Sequence, residues 1–201
     1  MVKVKICGLS RIEDIDAVNN LLPDYIGFVF AQSRRHIDVT TAAMLKKRLD
    51  SRIKAVGVFV NEDVSIVSGL FSRGIIDLAQ LHGDEDENYI SRLKEKCGCP
   101  VIKAVGVEDS LPPYPGNADI LLFDTLSKQR GGGGKPFNWC LLTGCTSLPP
   151  FFIAGGLCAH NVCEAVKFVV PFGVDVSSGV ETNGFKDAEK IDEFIRKVRQ
   201  A

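Results

Sequence analysis

Residues 2–10 read VKVKICGLS, an apolar-rich strand pattern that runs into a turn. An open nucleotide-binding sheet carries the glycine fingerprint GxGxxG directly after its first strand. The turn Cys7-Gly8-Leu9-Ser10 does not match that fingerprint. At the far end of the chain, the last apolar run, residues 173–176, leads into a C-terminal helical pattern, as closure of a barrel requires. The pattern therefore favours a closed barrel over an open doubly wound sheet.

Short apolar runs recur between helical patterns along the whole chain. Runs this continuous suit parallel strands buried on both faces, and they are spaced by the length of one βα unit. Eight such runs predict an α/β fold, a single (β/α)8 TIM barrel formed as one domain by residues 1–201. The runs are residues 2–7, 25–30, 53–60, 77–81, 101–105, 120–123, 151–154 and 173–176.

Helical patterns follow most of these strands. Glu87–Cys97 is predicted to be a helix that stops at Gly98, and Asp187 is expected to cap the last helix. Residues 108–117 contain three prolines, which do not fit inside a helix, so the fifth helix should be short or missing. The long glycine-rich loop over residues 125–135 is typical of a functional loop.

The composition indicates an ordinary globular chain with no dominant charge. Its 201 residues are 45% hydrophobic and 24% charged, with a formal net charge of −1. No overall field recruits nucleic acid or an anionic membrane, so an acidic ligand must be held by local groups. The start of the chain has no apolar leader and no run reaches the ~18 residues of a membrane span, so we expect a cytoplasmic protein with reduced thiols. The seven cysteines and three histidines show no zinc-site spacing, and the sequence indicates no metal and no obligatory protein partner.

Barrel enzymes build their sites on the loops that follow the C-terminal ends of the strands. Several of those ends carry groups that suit catalysis or ligand binding. They are Cys7-Gly8 after the first strand, Arg34-Arg35 after the second, His82-Gly83 after the fourth, Asp124-Thr125 after the sixth, Gly155-Gly156 after the seventh and Ser177-Ser178-Gly179 after the eighth.

Segments that cover nearly the whole chain occur in the order of one enzyme family. They are KICG (5–8), GFVF (27–30) followed by SxR, GVFV (57–60), QLHG (80–83), IKAVGV (102–107), FDT (123–125), GGxGKxFxW (131–139), AGGL (154–157) and DVSSGVE (175–181). QLHG or AGG alone would be a weak signal, but KICG, FDT, the glycine-rich loop and DVSSGVE in register are specific. On these segments the chain resembles the phosphoribosylanthranilate isomerases of the tryptophan pathway.

The resemblance implies an Amadori rearrangement of N-(5-phosphoribosyl)anthranilate to 1-(2-carboxyphenylamino)-1-deoxyribulose 5-phosphate. An acid protonates the ring oxygen of the aminoaldose, and a base removes the C2′ proton of the Schiff base that forms. By this resemblance Asp124 is the acid and Cys7 the base. The Schiff base uses the nitrogen of the substrate itself, so no cofactor is expected.

The residues alone leave more than one interpretation of these groups. Cys7 is either the base or a small buried side chain, and Asp124 needs a pKa raised by burial to act as an acid. Strand alternation puts Lys5 on the same side as Cys7, where its charge would favour the thiolate. Equally, Lys5 and Lys103 would form buried pairs with interior acids such as Asp175.

The remaining candidates are expected to bind a substrate that carries a phosphate and a carboxylate. Loops after strands 7 and 8 commonly hold phosphate through backbone N–H groups, and a short helix around residues 179–183 would add its dipole; the alternative is ordinary turns. The resemblance gives the carboxylate to Arg35 rather than to Arg34, and His82 is either a binding residue or a hydrogen-bonded wall residue. The predicted substrate-binding residues are Arg35, His82, Gly155, Gly156, Asp175, Ser178 and Gly179.

Two other functions stay open. A related barrel aldose–ketose isomerase of histidine biosynthesis, or one enzyme that serves both pathways, typically uses two aspartates, and one of them stands where this chain has Cys7. A barrel that only binds phosphoribosyl ligands would not need both Cys7 and Asp124. The presence of both residues favours the isomerase of the tryptophan pathway.

Overall fold

The structure is a computed structural model that describes residues 1–125, 137–143 and 148–201. Eight parallel strands form a closed barrel in the order of the chain, which confirms the predicted α/β barrel. The strands are β1 (Lys3–Cys7), β2 (Tyr25–Val29), β3 (Lys54–Phe59), β4 (Leu78–Leu81), β5 (Val101–Val107), β6 (Ile120–Thr125), β7 (Phe151–Ile153) and β8 (Gly173–Val176).

Helices cover most of the connections between strands. They are α1 (Ile12–Leu21), α2 (Val39–Arg48), α3 (Val64–Ser72), α4 (Glu87–Cys97), α5 (Val162–Val169) and α6 (Ala188–Arg199). Residues 108–119, between β5 and β6, contain no helix, as the prolines in this connection predict. Between β6 and β7, the described residues contain one 3-10 turn, Trp139–Leu142, in place of an α-helix. No helix in the described ranges is long and apolar enough to cross a bilayer.

Helix α4 ends at Gly98 and helix α6 is capped by Asp187, as predicted, and Asp86 is a further cap at the start of α4. The Asp86 carboxylate accepts a hydrogen bond from a backbone N–H in the first turn of α4, and Gly98 ends this helix in the left-handed region with φ 68°. The Asp187 carboxylate accepts from two backbone N–H groups in the first turn of α6. Each such N-cap stabilises its helix by about 1 kcal/mol. The predictions for these two helices are confirmed.

The segment that follows β8 is not the predicted short helix. A three-residue 3-10 helix, Ser178–Val180, leads into an antiparallel hairpin of β9 (Glu181–Thr182) and β10 (Phe185–Lys186). Asn183 and Gly184 form its two-residue turn, with φ of 54° and 84°. Two consecutive positive φ angles are typical of a type I′ turn, which an Asn-Gly pair favours, so the local turn geometry selects a hairpin.

Side chains along each strand alternate between the barrel interior and the surface that the helices cover. The register places Lys5 on β1 between Tyr25 on β2 and Asp175 on β8, with its side chain fully buried. A larger apolar core lies between the barrel and its helices. The interior is filled by a second apolar cluster, which consists of Val56, Leu78, Ile102, Ala104, Leu122, Phe152 and Ala154.

Candidate active site

Cys7, Lys5 and Asp175 form a compact group inside the barrel at β1 and β8. Lys5 Nζ lies 2.8 Å from Asp175 Oδ1, which is one of the buried pairs that the sequence left open. Cys7 lies two residues after Lys5 on the same strand, and its side chain is also buried. Gly27 on β2 lies opposite Cys7, and a Cβ at this glycine would stand only 2.7 Å from the thiol sulfur. The glycine therefore leaves the room that the thiol occupies.

Burial raises the thiol pKa of Cys7 above its usual value because the thiolate is disfavoured in an interior of low polarity. Lys5 lowers this pKa, Asp175 raises it, and Lys186 lowers it by a smaller amount. Lys5 favours the thiolate, as expected, but burial outweighs its effect and Asp175 opposes it, so the thiol pKa stays raised overall. The thiol is protonated at neutral pH, and its thiolate is a strong base.

Asp124 lies on β6 near the C-terminal end of the strand, with its carboxyl group mostly buried at the barrel mouth. Burial, and after it the negative charge of Asp175, raise the pKa of Asp124 to about 6. The loop after β7 approaches this group closely, since a Cβ at Gly155 would lie 2.9 Å from Asp124 Oδ1. A carboxyl group with this pKa is still protonated in part at neutral pH, which suits a general acid.

His82 lies beside Asp124, with its Nε2 atom 3.7 Å from Asp124 Oδ2. Burial, and after it the positive charge of Lys5, lower the pKa of His82 to about 4, so the imidazole is neutral at neutral pH. Gln80 Nε2 lies 3.3 Å from His82 Nδ1. The other ring nitrogen, Nε2, is the one that faces the Asp124 carboxyl group.

The loops after β7 and β8 lie side by side at the barrel mouth. Gly155 and Gly156 take the left-handed region with φ of 79° and 68°, which glycine adopts without strain. A Cβ at Gly179 would collide with the Leu157 carbonyl oxygen, so the two loops pack backbone against backbone. Ser178 begins the 3-10 helix after β8. The structure therefore brings together the four residues that were predicted to hold a phosphate.

Arg35 lies against the loop that follows β1. A Cβ at Gly8 would overlap Arg35 Cδ, so the stem of this arginine passes directly over the glycine. Arg35 Nε donates to Glu181 Oε1 at 2.7 Å, and Arg35 Nη2 donates to Glu181 Oε2 at 3.1 Å. Arg34 reaches the same carboxylate at 2.8 Å, but its side chain is 60% exposed, against 15% for Arg35. Of the two arginines, Arg35 is the one that is enclosed beside the site.

Comparison with known proteins connects this geometry to a family. The family described as N-(5'phosphoribosyl)anthranilate (PRA) isomerase matches residues 4–197. The chain belongs to this family. The matched residues begin within β1 and end within α6, so every candidate site residue lies inside the match.

Curated relatives of the chain carry the name of this isomerase and match it over nearly their full length. The N-(5'-phosphoribosyl)anthranilate isomerase of Endomicrobium trichonymphae is 51% identical over 200 residues, which cover 99% of each chain. The isomerase of Clostridium acetobutylicum is 48% identical over 208 residues, which cover 100% of this chain and 99% of the relative.

Solved structures of phosphoribosylanthranilate isomerases share the barrel. The enzyme from Thermus thermophilus has a TM-score of 0.88 at 30% identity and 99% coverage of both chains. The enzyme from Thermotoga maritima has a TM-score of 0.86 at 33% identity and full coverage of both chains. A further isomerase structure, with a TM-score of 0.84 and 32% identity over the full length of both chains, is a complex with reduced 1-(o-carboxyphenylamino)-1-deoxyribulose 5-phosphate.

Three residues of this phosphoribosylanthranilate isomerase family member have site contacts that the sequence analysis did not assign. Glu181 holds Arg35, Lys186 donates to Glu181, and Gly27 makes room for Cys7. Glu181 had a signal, because it is the charged last residue of the specific segment DVSSGVE. Gly27 lies in another of the quoted segments, GFVF, but its contact with Cys7 depends on the strand register. Lys186 had no signal, because its position depends on the hairpin.

Two further expectations concern residues away from this group. Lys103 forms a buried pair with Glu85 at 3.0 Å and not with Asp175, because it lies on the outward side of β5. The glycine-rich loop over residues 125–135 lies outside the described residues beyond Thr125. In the described parts of the chain, His, Cys, Asp and Glu side chains form no group of three or more that would hold a metal ion.

Proposed function

We propose that Asp124 and Cys7 isomerise N-(5'-phosphoribosyl)anthranilate in this chain, as general acid and general base. The activity follows from the family: the chain is an intramolecular aldose–ketose isomerase of tryptophan biosynthesis, like its relatives at 51% and 48% identity. The observation that carries the assignment of roles is the position of both groups at one barrel mouth, where burial raises the pKa of each. Asp124 therefore still carries its proton in part at neutral pH, and the thiolate of Cys7, once formed, is the stronger base.

In the first step the Asp124 carboxyl group protonates the ring oxygen of the ribose. The bond between C1′ and that oxygen breaks, and the nitrogen lone pair forms the C1′=N bond of a protonated Schiff base. Because the pKa of Asp124 is about 6, its proton is held weakly enough to be transferred and is still present in part at neutral pH. The neutral imidazole of His82 lies beside the carboxylate that remains, with Nε2 3.7 Å from Asp124 Oδ2.

At neutral pH the pair of Asp124 and Cys7 carries one proton, and the reactive form is the minor one in which that proton is on Asp124 and Cys7 is a thiolate. In the second step this thiolate removes the proton on C2′. The electron pair of the broken C–H bond moves into a C1′=C2′ double bond, and the nitrogen regains its lone pair. Tautomerisation of this enol to the ketone completes the aminoketose. C2′ is oxidised while C1′ is reduced within one molecule, so the reaction needs no external oxidant and we expect no cofactor. Lys5 supplies the positive charge that stabilises the thiolate when it forms.

The substrate-binding groups follow from the two anionic ends of the substrate. The phosphate lies at the adjoining loops after β7 and β8, and Arg35 contacts the anthranilate carboxylate with the planar fork of its guanidinium group. Asp175, and His82 next to Asp124, form the polar wall around the sugar. The proposal is supported by the ligand of the solved isomerase complex, which carries both a phosphate and a carboxyphenyl group. The residues that hold the phosphate are Gly155, Gly156, Ser178 and Gly179.

We further propose that residues 1–201 act as one domain in the cytosol. Six cysteines in the described residues are free thiols, and Cys7 must stay reduced to act as a base, which a reducing compartment ensures. Fractionation of cells that produce the chain, followed by thiol counting on the recovered protein, tests this location.

The test of the function is a coupled assay with phosphoribosylanthranilate, together with complementation of a tryptophan auxotroph. We expect turnover and growth from the wild-type chain, and neither from the double variant Cys7→Ala/Asp124→Asn. Growth of a histidine-isomerase auxotroph instead of the tryptophan auxotroph would assign the chain to the other pathway. Full activity of the double variant would remove both residues from the mechanism.

A further inference from the structure

A buried carboxylate with three cationic partners lies at the edge of the proposed site. The Glu181 side chain is only 5% exposed, and it accepts hydrogen bonds from Arg35, Arg34 and Lys186. Burial raises the pKa of Glu181, but the hydrogen bonds from Arg35 and Lys186 outweigh this effect and lower the pKa overall. Glu181 is therefore an anion at neutral pH. A buried anion of this kind fixes the direction of the groups that donate to it.

Lys186 connects Glu181 to the two strands that carry the catalytic group at β1 and β8. Lys186 Nζ donates to Glu181 Oε1 at 2.7 Å and to the Ser177 carbonyl oxygen at 2.9 Å. The Ser177 hydroxyl donates in turn to the Cys7 carbonyl oxygen at 3.0 Å. Glu181 is thus held in place from the interior side, independently of either arginine.

Arg35 is constrained on both sides by this arrangement. Its stem passes over Gly8, the residue directly after Cys7, and Glu181 takes the edge of the guanidinium group formed by Nε and Nη2. The described residues give Arg35 Nη1 no hydrogen-bond partner. The edge formed by Nη1 and the second Nη2 proton can therefore receive a carboxylate in the plane of the group.

We propose that Glu181 is the positioning residue of Arg35, and that it determines the preference of the site for a substrate whose aromatic amine carries a carboxylate. This inference rests on the proposed contact between Arg35 and the anthranilate carboxylate. Glu181 does not touch the substrate; it holds the guanidinium plane so that binding a carboxylate costs no further ordering of the arginine side chain. The opposite role is that of a competitor, which the substrate carboxylate must displace from Arg35.

The decisive measurement compares two ligands by calorimetry. One is reduced 1-(2-carboxyphenylamino)-1-deoxyribulose 5-phosphate, and the other is the same compound without the carboxyl group. We expect Glu181→Gln to weaken binding of the carboxylated ligand about tenfold, as loss of a charge-assisted contact does, and to change binding of the other ligand less than about twofold. In the assay the same variant should raise KM more than it lowers kcat. Arg34→Ala is the matched control, because Arg34 also contacts Glu181 but is largely exposed, and it should leave both affinities unchanged.

A double-variant cycle separates this role from a general loss of structure. If Glu181 acts only through Arg35, then Glu181→Gln should have no further effect on carboxylate preference in an Arg35→Ala background. Glu181→Asp provides a second variant in case the glutamine variant unfolds. The shorter aspartate side chain keeps a negative charge beside Lys186 but places it farther from Arg35. The preference for the carboxylated ligand should therefore fall, while the thermal unfolding midpoint stays near that of the wild type.

Five results would overturn the inference. Tighter binding of the carboxylated ligand by Glu181→Gln would show that Glu181 competes with the substrate, and equal weakening of both ligands would show a structural role alone. Additive effects in the Arg35→Ala background would show that Glu181 acts through another group. If Arg35→Ala leaves the preference for the carboxylated ligand intact, the proposed contact between Arg35 and the carboxylate is wrong. If Arg35→Ala loses this preference but Glu181→Gln keeps it, the contact stands and only the positioning role of Glu181 is refuted.

Discussion

Lys5 and Asp175 form an ion pair 2.8 Å long inside the barrel, between neighbouring strands and next to Cys7. Burial lowers the pKa of Lys5, but the attraction of Asp175 and of Cys7 outweighs burial, so the net shift is upward and the lysine stays charged. The pair therefore gives the barrel interior a fixed positive group beside the thiol. It also places two charges where water does not reach them.

Removing one partner of this pair should destabilise the fold strongly. Lys5→Met leaves the Asp175 carboxylate buried without a counter-ion, and we expect a loss of about 3–5 kcal/mol in the free energy of unfolding. Lys5→Met/Asp175→Leu should recover much of this loss because it removes both charges. Urea denaturation at neutral pH measures the three free energies.

The control for this prediction is the pair between Lys3 and Asp24, which is of similar length at 2.7 Å but has side chains that are 45% and 34% exposed. Solvent screens such a pair, so Lys3→Met should cost less than about 1 kcal/mol. Similar losses for Lys5→Met and Lys3→Met would contradict the argument from burial.

The two proton-transfer groups should be separately indispensable. Cys7→Ala and Asp124→Asn should each lower kcat by about 10²–10⁴-fold, the usual contribution of a positioned acid or base, while the affinity for a product analogue changes little. Cys163→Ala serves as the thiol control, because Cys163 lies on α5 outside the barrel and should keep the wild-type rate. Steady-state kinetics and analogue titration check both parts. A Cys7→Ala enzyme with a rate near that of the wild type would exclude the thiol as base.

The pH dependence should report the raised pKa values of both groups. Below the pKa of Asp124, about 6, both groups are protonated and no base is present; above the pKa of Cys7 both are ionised and no acid is present. Between these two pKa values the pair carries one proton, mostly on Cys7, and the active form is the minor one in which the proton is on Asp124. We therefore expect kcat/KM to rise through about pH 6 and to fall only above the ordinary thiol range, because burial raises the pKa of Cys7.

Alkylation of the Cys7 thiol, followed by mass spectrometry at a series of pH values, measures its ionisation without substrate. It tests the alkaline limb, whereas in the acidic limb the phosphate of the substrate titrates together with Asp124, at about pH 6. Labelling that reaches its maximum below the ordinary thiol pKa would show that Lys5 outweighs burial after all.

The sequence was sufficient for the barrel and for placing the proposed acid and base near the C-terminal ends of its strands. The prediction of eight strands and of a short or missing fifth helix is confirmed. It rested on local features, namely the spacing of the apolar runs, the first turn and the prolines between β5 and β6. The pairing of Lys5 with Asp175 could be predicted once Lys5 was placed on the inward face of β1. The pairing of Lys103 with Glu85 could not, because the sequence does not show which face of β5 points inward.

What the sequence missed depends on contacts between distant segments. Cys7 is buried because the barrel closes around it. No local sequence pattern shows whether this burial or the charge of Lys5 has the larger effect on the thiol pKa. The Asn183-Gly184 turn does have a local signal for a hairpin, but the expectation of an anion-binding helix end overrode it. The contact of Glu181 with Arg35 joins residues 146 positions apart, beyond the reach of any periodicity.

The last prediction concerns the phosphate site, whose donors must be local because the net charge of the chain is −1. Inorganic phosphate should compete with substrate, and Gly156→Val should abolish this competition, because a branched side chain stands where the anion approaches the backbone. The change also strains a residue with φ 68°, and Gly98→Val is the matched control, since Gly98 has the same φ with open space around it at the end of α4. We expect both variants to lose similar unfolding free energy, but only Gly156→Val to raise the inhibition constant of phosphate and the KM of the substrate. Equal effects of the two variants on KM, or noncompetitive inhibition by phosphate in the wild type, would place the phosphate elsewhere while leaving the assignment of Cys7 and Asp124 unaffected.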